Sequence, residues 1–176
     1  MYFYKLKEHD LDATHKQVSS LSKETLSNCF LQYNIKILEP IEIINYDYIK
    51  GYPDYCTSIS HTKGFHAVVI SEKSKIISIG IDIELSDRKV KNEIASRISH
   101  PKDEYQNNEL LNFWTQKEAA FKALSPIKTT NIKTLNDLWV RDLNFGIEEK
   151  VIGKIMTKKI INQGNDITLS IATIYK

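Results

Sequence analysis

Hydrophobic and polar positions change their spacing several times in the first half of the chain. Apolar residues at helical spacing predict a helix over residues 18–31, with Leu21, Leu26 and Phe30 turned inward. Four short apolar runs, mostly β-branched, predict strands at residues 35–38, 41–44, 66–71 and 76–85. The last two runs are separated by a short polar segment, which predicts that they form a hairpin.

The second half repeats both patterns. A short helix is predicted over residues 91–97, before His100-Pro101, and a longer one over residues 103–124, before Ser125-Pro126. Three alternating runs, at residues 138–143, 151–156 and 167–174, predict antiparallel strands near the end of the chain.

The amino-acid composition excludes several classes of protein. The 176 residues include 41% hydrophobic and 26% charged residues, as in ordinary globular proteins, and the net charge of +2 is too small for a protein that coats nucleic acid. No run approaches the ~20 apolar residues that a membrane helix needs. Two cysteines are too few for a disulfide framework. We therefore expect a cytoplasmic protein with neither membrane nor nucleic acid as a partner.

Two carboxylates lie close together on the predicted strand at residues 76–85. Alternation along a strand puts the isoleucines of residues 79–83 on one face, and Gly80, Asp82 and Glu84 on the other. Carboxylates ~7 Å apart at the backbone can converge on one hard cation, and glycine lets another group approach the strand. The alternative is a solvent-facing strand with acidic side chains.

A third carboxylate interrupts an apolar stripe of the long predicted helix. Leu111, Trp114, Glu118 and Phe121 share one helix face. A carboxylate in such a stripe is unfavourable unless it is paired or binds a metal. Lys122 follows Glu118 by one turn, so the alternative is a local ion pair worth ~0.3–0.5 kcal/mol.

Ser60 and His61 follow the turn signal at residues 51–54. We interpret their segment as a loop, in which a hydroxyl and an imidazole can hold a phosphate. The alternative is an isolated histidine at the end of a strand.

Together these segments resemble one family, the 4′-phosphopantetheinyl transferases of the pseudo-dimeric, surfactin-synthetase type. The family's motifs correspond in order to Gly51-Tyr52-Pro53, Ser60-His61-Thr62, Gly80-Ile81-Asp82-Ile83-Glu84, and Trp114-Thr115-Gln116-Lys117-Glu118 followed by Lys122. The resemblance covers residues 51 to about 125.

The resemblance implies an α+β fold of two similar halves, each an antiparallel sheet packed with a helix, related by a pseudo-twofold axis. The halves would be residues 1–75, contacting coenzyme A, and residues 76–176, carrying the metal site and the catalytic helix. The site would lie between them, so that a monomer suffices.

The resemblance also implies an activity. Members of the family move the phosphopantetheine arm of coenzyme A to a serine of an apo acyl or peptidyl carrier protein and release 3′,5′-ADP. Asp82, Glu84 and Glu118 would bind Mg²⁺ or Mn²⁺, with Glu118 also acting as the base. Catalysis would then rest on Asp82, Glu118 and Lys122.

The coenzyme A contacts follow from the same resemblance. Lys122, assisted by Lys117, would neutralise the pyrophosphate. Ser60 and His61 would hold the nucleotide phosphates, and Gly51, Tyr52 and Pro53 would lie against the adenine.

The chain departs from the family in its N-terminal half. Tyr52 stands where the family often has lysine, and residues 1–87 contain no arginine to hold the 3′-phosphate. Three lysines are candidates for that role: Lys16, Lys23 and Lys36. We expect the acidic carrier to dock on basic residues of the second half, namely Lys89, Lys91, Arg97 and Lys102.

Two other functions remain open. A carboxylate set followed by a lysine is also typical of metal-dependent nucleases and phosphodiesterases. A degenerate homologue that binds a carrier protein without modifying it is the second alternative.

Overall fold

The computed structural model describes residues 2–35, 37, 41–44, 48–106 and 109–176. Their strands form two five-stranded antiparallel sheets, and three α-helices pack with them. The predicted α+β class is therefore confirmed. Within the described ranges, no helix combines the length and the apolar character needed to cross a membrane.

The first sheet has the strand order β1-β5-β4-β3-β2. Its strands are β1 (Tyr2–Glu8), β2 (Ile43–Ile44), β3 (Tyr48–Ile49), β4 (Tyr55–Thr62) and β5 (Phe65–Glu72). Helix α1 (His15–Phe30) covers this sheet and begins with a capping box between Thr14 and Gln17. Leu26 and Phe30 are buried as predicted, whereas Leu21 is exposed.

The second sheet has the strand order β6-β10-β9-β8-β7. Its strands are β6 (Ile76–Leu85), β7 (Trp139–Arg141), β8 (Asn144–Ile147), β9 (Lys150–Asn162) and β10 (Asn165–Tyr175). Two helices lie between β6 and β7 in the chain, α2 (Asn92–Ile98) and α3 (Leu110–Leu124). Helix α3 is shorter than the prediction, which began it at residue 103.

The predicted hairpin between residues 66–71 and 76–85 is wrong. Strand β5 pairs with β1 and β4, while β6 pairs with β10 in the other sheet. The polar segment after β5 therefore links two sheets. The hairpin forms one strand earlier, between β4 and β5, where Gly64 takes the left-handed conformation at φ 77°. Residues 57–62, predicted as a loop, belong to β4.

Two further strand predictions need correction. The run at residues 138–143 is part of a hairpin of β7 and β8, because Asp142 turns the chain at φ 53°. The predicted strand at 41–44 is reduced to the two residues of β2. The predicted strand at 35–38 lies partly outside the described residues.

Strand β6 lies between two packed layers. Ile79, Ile81 and Ile83 are fully buried with Ala67 and Val69 of β5, so the isoleucine face meets the first sheet, as the alternation predicts. The opposite face is not open to solvent, because α3 packs over it. That packing positions the candidate site.

Candidate active site

A cleft of about 910 Å³ opens between α1 and β4 on one side and β6 and α3 on the other. Most of the predicted site residues line it. They are Ser60 and His61 of β4, Asp82 and Glu84 of β6, and Glu118 and Lys122 of α3. Residues far apart in the sequence thus meet in one cavity.

Gly80 allows α3 to approach β6 closely. A Cβ atom at this position would lie 2.0 Å from the carbonyl oxygen of Ala119 and 2.6 Å from the amide nitrogen of Ala123. Neither distance is sterically possible, so only glycine fits. The absent side chain brings the helix carrying Glu118 against the strand carrying Asp82.

Asp82 is the centre of the polar contacts in the cleft. Its Oδ1 accepts a hydrogen bond from Ser60 Oγ at 2.8 Å and pairs with Lys122 Nζ at 2.7 Å. Lys122 also donates to Ile81 O at 3.2 Å, and Ser60 accepts from Ile83 N at 3.3 Å. These contacts bind β4, β6 and α3 to one carboxylate.

The other carboxylate oxygen of Asp82, Oδ2, is buried and has no hydrogen-bond partner among the residues that the structure describes. A buried acceptor of this kind is unfavourable unless a partner arrives. The atom therefore has capacity for a further ligand.

Glu84 lies two residues further along β6. Thr62 Oγ1 donates to its Oε2 at 2.9 Å, and the guanidinium of Arg88 pairs with its Oε1. The same guanidinium lies over the Trp114 ring, 5.2 Å from the centroid. Strand β6 is thus joined to α3 at the cleft through Arg88.

Glu118 faces the cleft and is partly buried. Burial raises the pKa of its carboxyl group above the usual value, and the nearby Asp82 charge raises it further. Lys122 and Arg88 oppose the shift. A glutamate held in this way is a stronger base than one in water.

His61 extends the cleft toward α1. Its ring lies 5.5 Å from that of His15, centroid to centroid. Burial lowers the pKa of His61, and the charges of His15 and Lys122 lower it further. Sequence reasoning missed His15, whose position at the first residue of α1 no motif indicates.

Lys117 does not join this group. Its side chain is fully buried on the opposite face of α3, where Nζ lies 2.7 Å from Asp103 Oδ2 and donates to Leu138 O at 2.6 Å. Burial lowers the pKa of the Lys117 ammonium, and Asp103 partly offsets the effect. The structure therefore separates Lys117 from the cleft.

The long stripe predicted on α3 is consequently the cleft face rather than the core face. Trp114, Glu118 and Phe121 line the cavity, whereas Phe113 and Lys117 lie on the buried side. The charged residue on the buried side of α3 is Lys117. Lys117 follows the apolar Phe113 by four residues, and residues at this spacing lie on the same face of a helix. The spacing therefore indicates that Lys117 lies on the buried side.

The structure does not bring Gly51, Tyr52 and Pro53 to the cleft lining. The Tyr52 ring packs against Phe30 of α1 with centroids 4.9 Å apart, and Gly51 has φ 81°. Among the lysines considered for the 3′-phosphate, Lys23 lines the cleft and Lys16 does not. Lys36 lies outside the described residues.

No set of three or more His, Cys, Asp and Glu side chains in the described part of the chain is grouped closely enough to hold a metal ion. Asp82, Glu84 and Glu118 nevertheless face one cleft, and carboxylate oxygens are the ligands that Mg²⁺ prefers. The unpartnered Oδ2 of Asp82 is consistent with such a ligand role. The residues therefore fit a magnesium ion in donor chemistry.

Residues 78–149 match the family model of the 4′-phosphopantetheinyl transferase superfamily. The matched segment includes Asp82, Glu84, Glu118 and Lys122. This segment of the chain is therefore similar to the 4′-phosphopantetheinyl transferases, in agreement with the resemblance carried by the sequence motifs. No curated protein matches the chain.

Proposed function

We propose that the protein transfers the 4′-phosphopantetheine group of coenzyme A to a serine of an apo carrier protein and releases 3′,5′-ADP. One observation carries the proposal. The cleft combines a buried aspartate with an unpartnered oxygen, a glutamate of raised pKa and a lysine ammonium, within the part of the chain that matches the superfamily.

The proposed reaction has a defined nucleophile, leaving group and proton acceptor. The carrier serine oxygen attacks the phosphorus that bears the pantetheine arm, and the bond from that phosphorus to the bridging oxygen breaks. The nucleotide leaves as 3′,5′-ADP, and the serine proton goes to Glu118, directly or through water. Since burial and Asp82 raise the Glu118 pKa, this carboxylate is suited to accept the proton.

Cationic groups offset the phosphate charge. Lys122 would neutralise the pyrophosphate, and Lys23 lies at the same cleft as a candidate for the 3′-phosphate. Ser60 and His61 would contact the nucleotide phosphates. Asp82, Glu84 and Glu118 would hold Mg²⁺, which in such sites draws negative charge from phosphate oxygens.

The ion pairs already present give these residues a second role. Lys122 occupies Asp82 Oδ1, and Arg88 occupies Glu84 Oε1. Both cations hold the carboxylates in place before substrate binds. The turn at residues 51–53 does not line the cleft. It would contact the adenine only if the bound nucleotide extended past the cleft lining.

The carrier protein is proposed to dock on the basic residues near α2, with the transferase acting as a monomer in the cytoplasm. Lys89, Lys91 and Arg97 are exposed there. Lys102 pairs with Glu149 and is therefore less available to an acidic partner.

The test incubates the protein with coenzyme A, Mg²⁺ and a panel of apo acyl and peptidyl carrier proteins. Intact-mass spectrometry is expected to show a carrier heavier by one phosphopantetheine, with an equal amount of 3′,5′-ADP, and EDTA is expected to stop the reaction. Cleavage of a DNA substrate without any gain of carrier mass would favour a nuclease. Carrier binding without mass gain would favour an inactive homologue.

A further inference from the structure

The Lys117–Asp103 ion pair lies on the buried side of α3, away from the cleft. The Lys117 side chain is 0% exposed and that of Asp103 is 1% exposed. Besides Asp103, the ammonium donates to Leu138 O at 2.6 Å and to Leu135 O at 3.3 Å, so its three protons are all directed at acceptors.

Asp103 is equally well bound. His100 N donates to its Oδ2 and Val140 N donates to its Oδ1, both at 2.6 Å. The pair therefore joins three parts of the second half: helix α3, the segment before it and strand β7.

Buried ion pairs contribute little net stability, because desolvation offsets most of their attraction. Their hydrogen bonds are directional, however, and an apolar contact is not. The pair therefore fixes the rotation of α3 and its position along the axis more tightly than apolar packing alone.

That rotation determines the cleft. Lys117 and Glu118 are consecutive helical residues, so their side chains project about 100° apart. With Lys117 held inward, Glu118 is turned toward the cleft that Asp82 also lines, and Lys122 follows one turn later.

We infer that Lys117 and Asp103 are positioning residues that hold α3 in the rotation at which Glu118 and Lys122 meet Asp82. The inference rests on the proposed function for its kinetic test. It assigns Lys117 a role other than the contact with coenzyme A that the sequence resemblance implies.

The test uses two variants, because Lys117→Met leaves a buried carboxylate without its partner and can fail to fold. The second variant combines Lys117→Met with Asp103→Asn, which removes that charge while an amide oxygen remains to accept a backbone hydrogen bond. Lys128→Met, at an exposed lysine beyond α3, is the control.

Two measurements are made on the folded double variant. A crystal structure is expected to show α3 rotated or shifted against β6, with the Lys122–Asp82 contact lengthened. In carrier-modification assays, kcat per folded molecule is expected to fall at least about tenfold, a size typical of misplaced catalytic groups. The KM for coenzyme A should change less than kcat.

Other outcomes overturn the inference. An unmoved helix contradicts it whether or not the wild-type protein transfers phosphopantetheine, so the structure separates this inference from the proposed function. A shifted helix with wild-type kcat also contradicts it. A tenfold higher KM with unchanged kcat would restore Lys117 as a ligand of coenzyme A.

Discussion

The ammonium of Lys122 lies 2.7 Å from Asp82 Oδ1 and joins helix α3 to strand β6 at the cleft. The aspartate side chain is 7% exposed and that of the lysine is 27% exposed. A carboxylate this buried depends on its partners, and Ser60 is its other hydrogen-bond donor at 2.8 Å.

Lys122→Met is expected to lower the free energy of unfolding by about 1–3 kcal/mol, because it removes one partner of a buried charge. Partial solvent access to the lysine places the value toward the lower end. Adding Asp82→Asn removes the charge itself and should recover part of the loss. Urea unfolding of both single variants and the double variant measures the coupling. Strictly additive losses would contradict a direct interaction.

Gly80→Ala tests the close approach of α3 to β6. The new methyl group cannot lie 2.0 Å from the Ala119 carbonyl oxygen, so the helix must move away. We expect a loss of about 1–3 kcal/mol or more in unfolding free energy, as for overpacked cores. The control is Gly164→Asn, at an open turn with φ 82°, which asparagine tolerates. Equal stability of Gly80→Ala and the control would refute the packing argument.

His66 is expected to make stability depend on pH. Its side chain is buried, with Nε2 2.9 Å from Thr25 Oγ1, and the stacked ring of His9 lies 5.9 Å away. Burial, followed by the charges of His9, Lys7 and His61, lowers its pKa from 6.5 to about 4.

The sign of this effect follows from proton binding. Between pH 6.5 and 4 the unfolded chain binds the proton and the folded protein does not, so His66 stabilises the fold above pH 6.5 and the contribution disappears toward pH 4. The loss is at most about 3 kcal/mol. Unfolding titrations should show a shallower acid dependence for His66→Gln than for wild type, with His100→Gln as the control. Parallel curves would contradict the assignment.

Charge reversal near α2 tests the proposed docking surface. The triple variant Lys89→Glu, Lys91→Glu, Arg97→Glu is expected to raise KM for an acidic carrier about tenfold, since opposite charges steer association. The KM for coenzyme A should not change. The triple variant Lys150→Glu, Lys154→Glu, Lys159→Glu, at exposed positions on β9, carries the same change in net charge and is the control. An unchanged carrier KM would show that the carrier docks elsewhere.

Much of the site could be predicted because strand alternation is local. The period of two correctly grouped Gly80, Asp82 and Glu84, and it correctly turned the intervening isoleucines toward the other sheet. Helix α3 covers the carboxylate face of β6, and this cover depends on packing between segments that are distant in the sequence. Gly80 is the local feature of the strand that indicates such a close approach.

The errors have a common physical origin. The polar segment Glu72–Lys75 is compatible with a hairpin turn and equally with a connection between two sheets. The pairing of β5 with β4 determines which of the two forms. Similarly, Lys117 and Glu118 are both charged residues in an apolar helix. Which one enters the core depends on whether a buried partner is present, and Asp103 is supplied by a distant segment.

The most direct test of the central claim measures carrier modification by Asp82→Asn beside Asp87→Asn. Asp82 is the buried centre of the cleft, and Asp87 is an exposed aspartate five residues further along the chain. With coenzyme A, Mg²⁺ and apo carrier protein, we expect wild type and Asp87→Asn to add the phosphopantetheine mass, and folded Asp82→Asn to add none. Undiminished transfer by folded Asp82→Asn would contradict the assignment of the cleft as the active site.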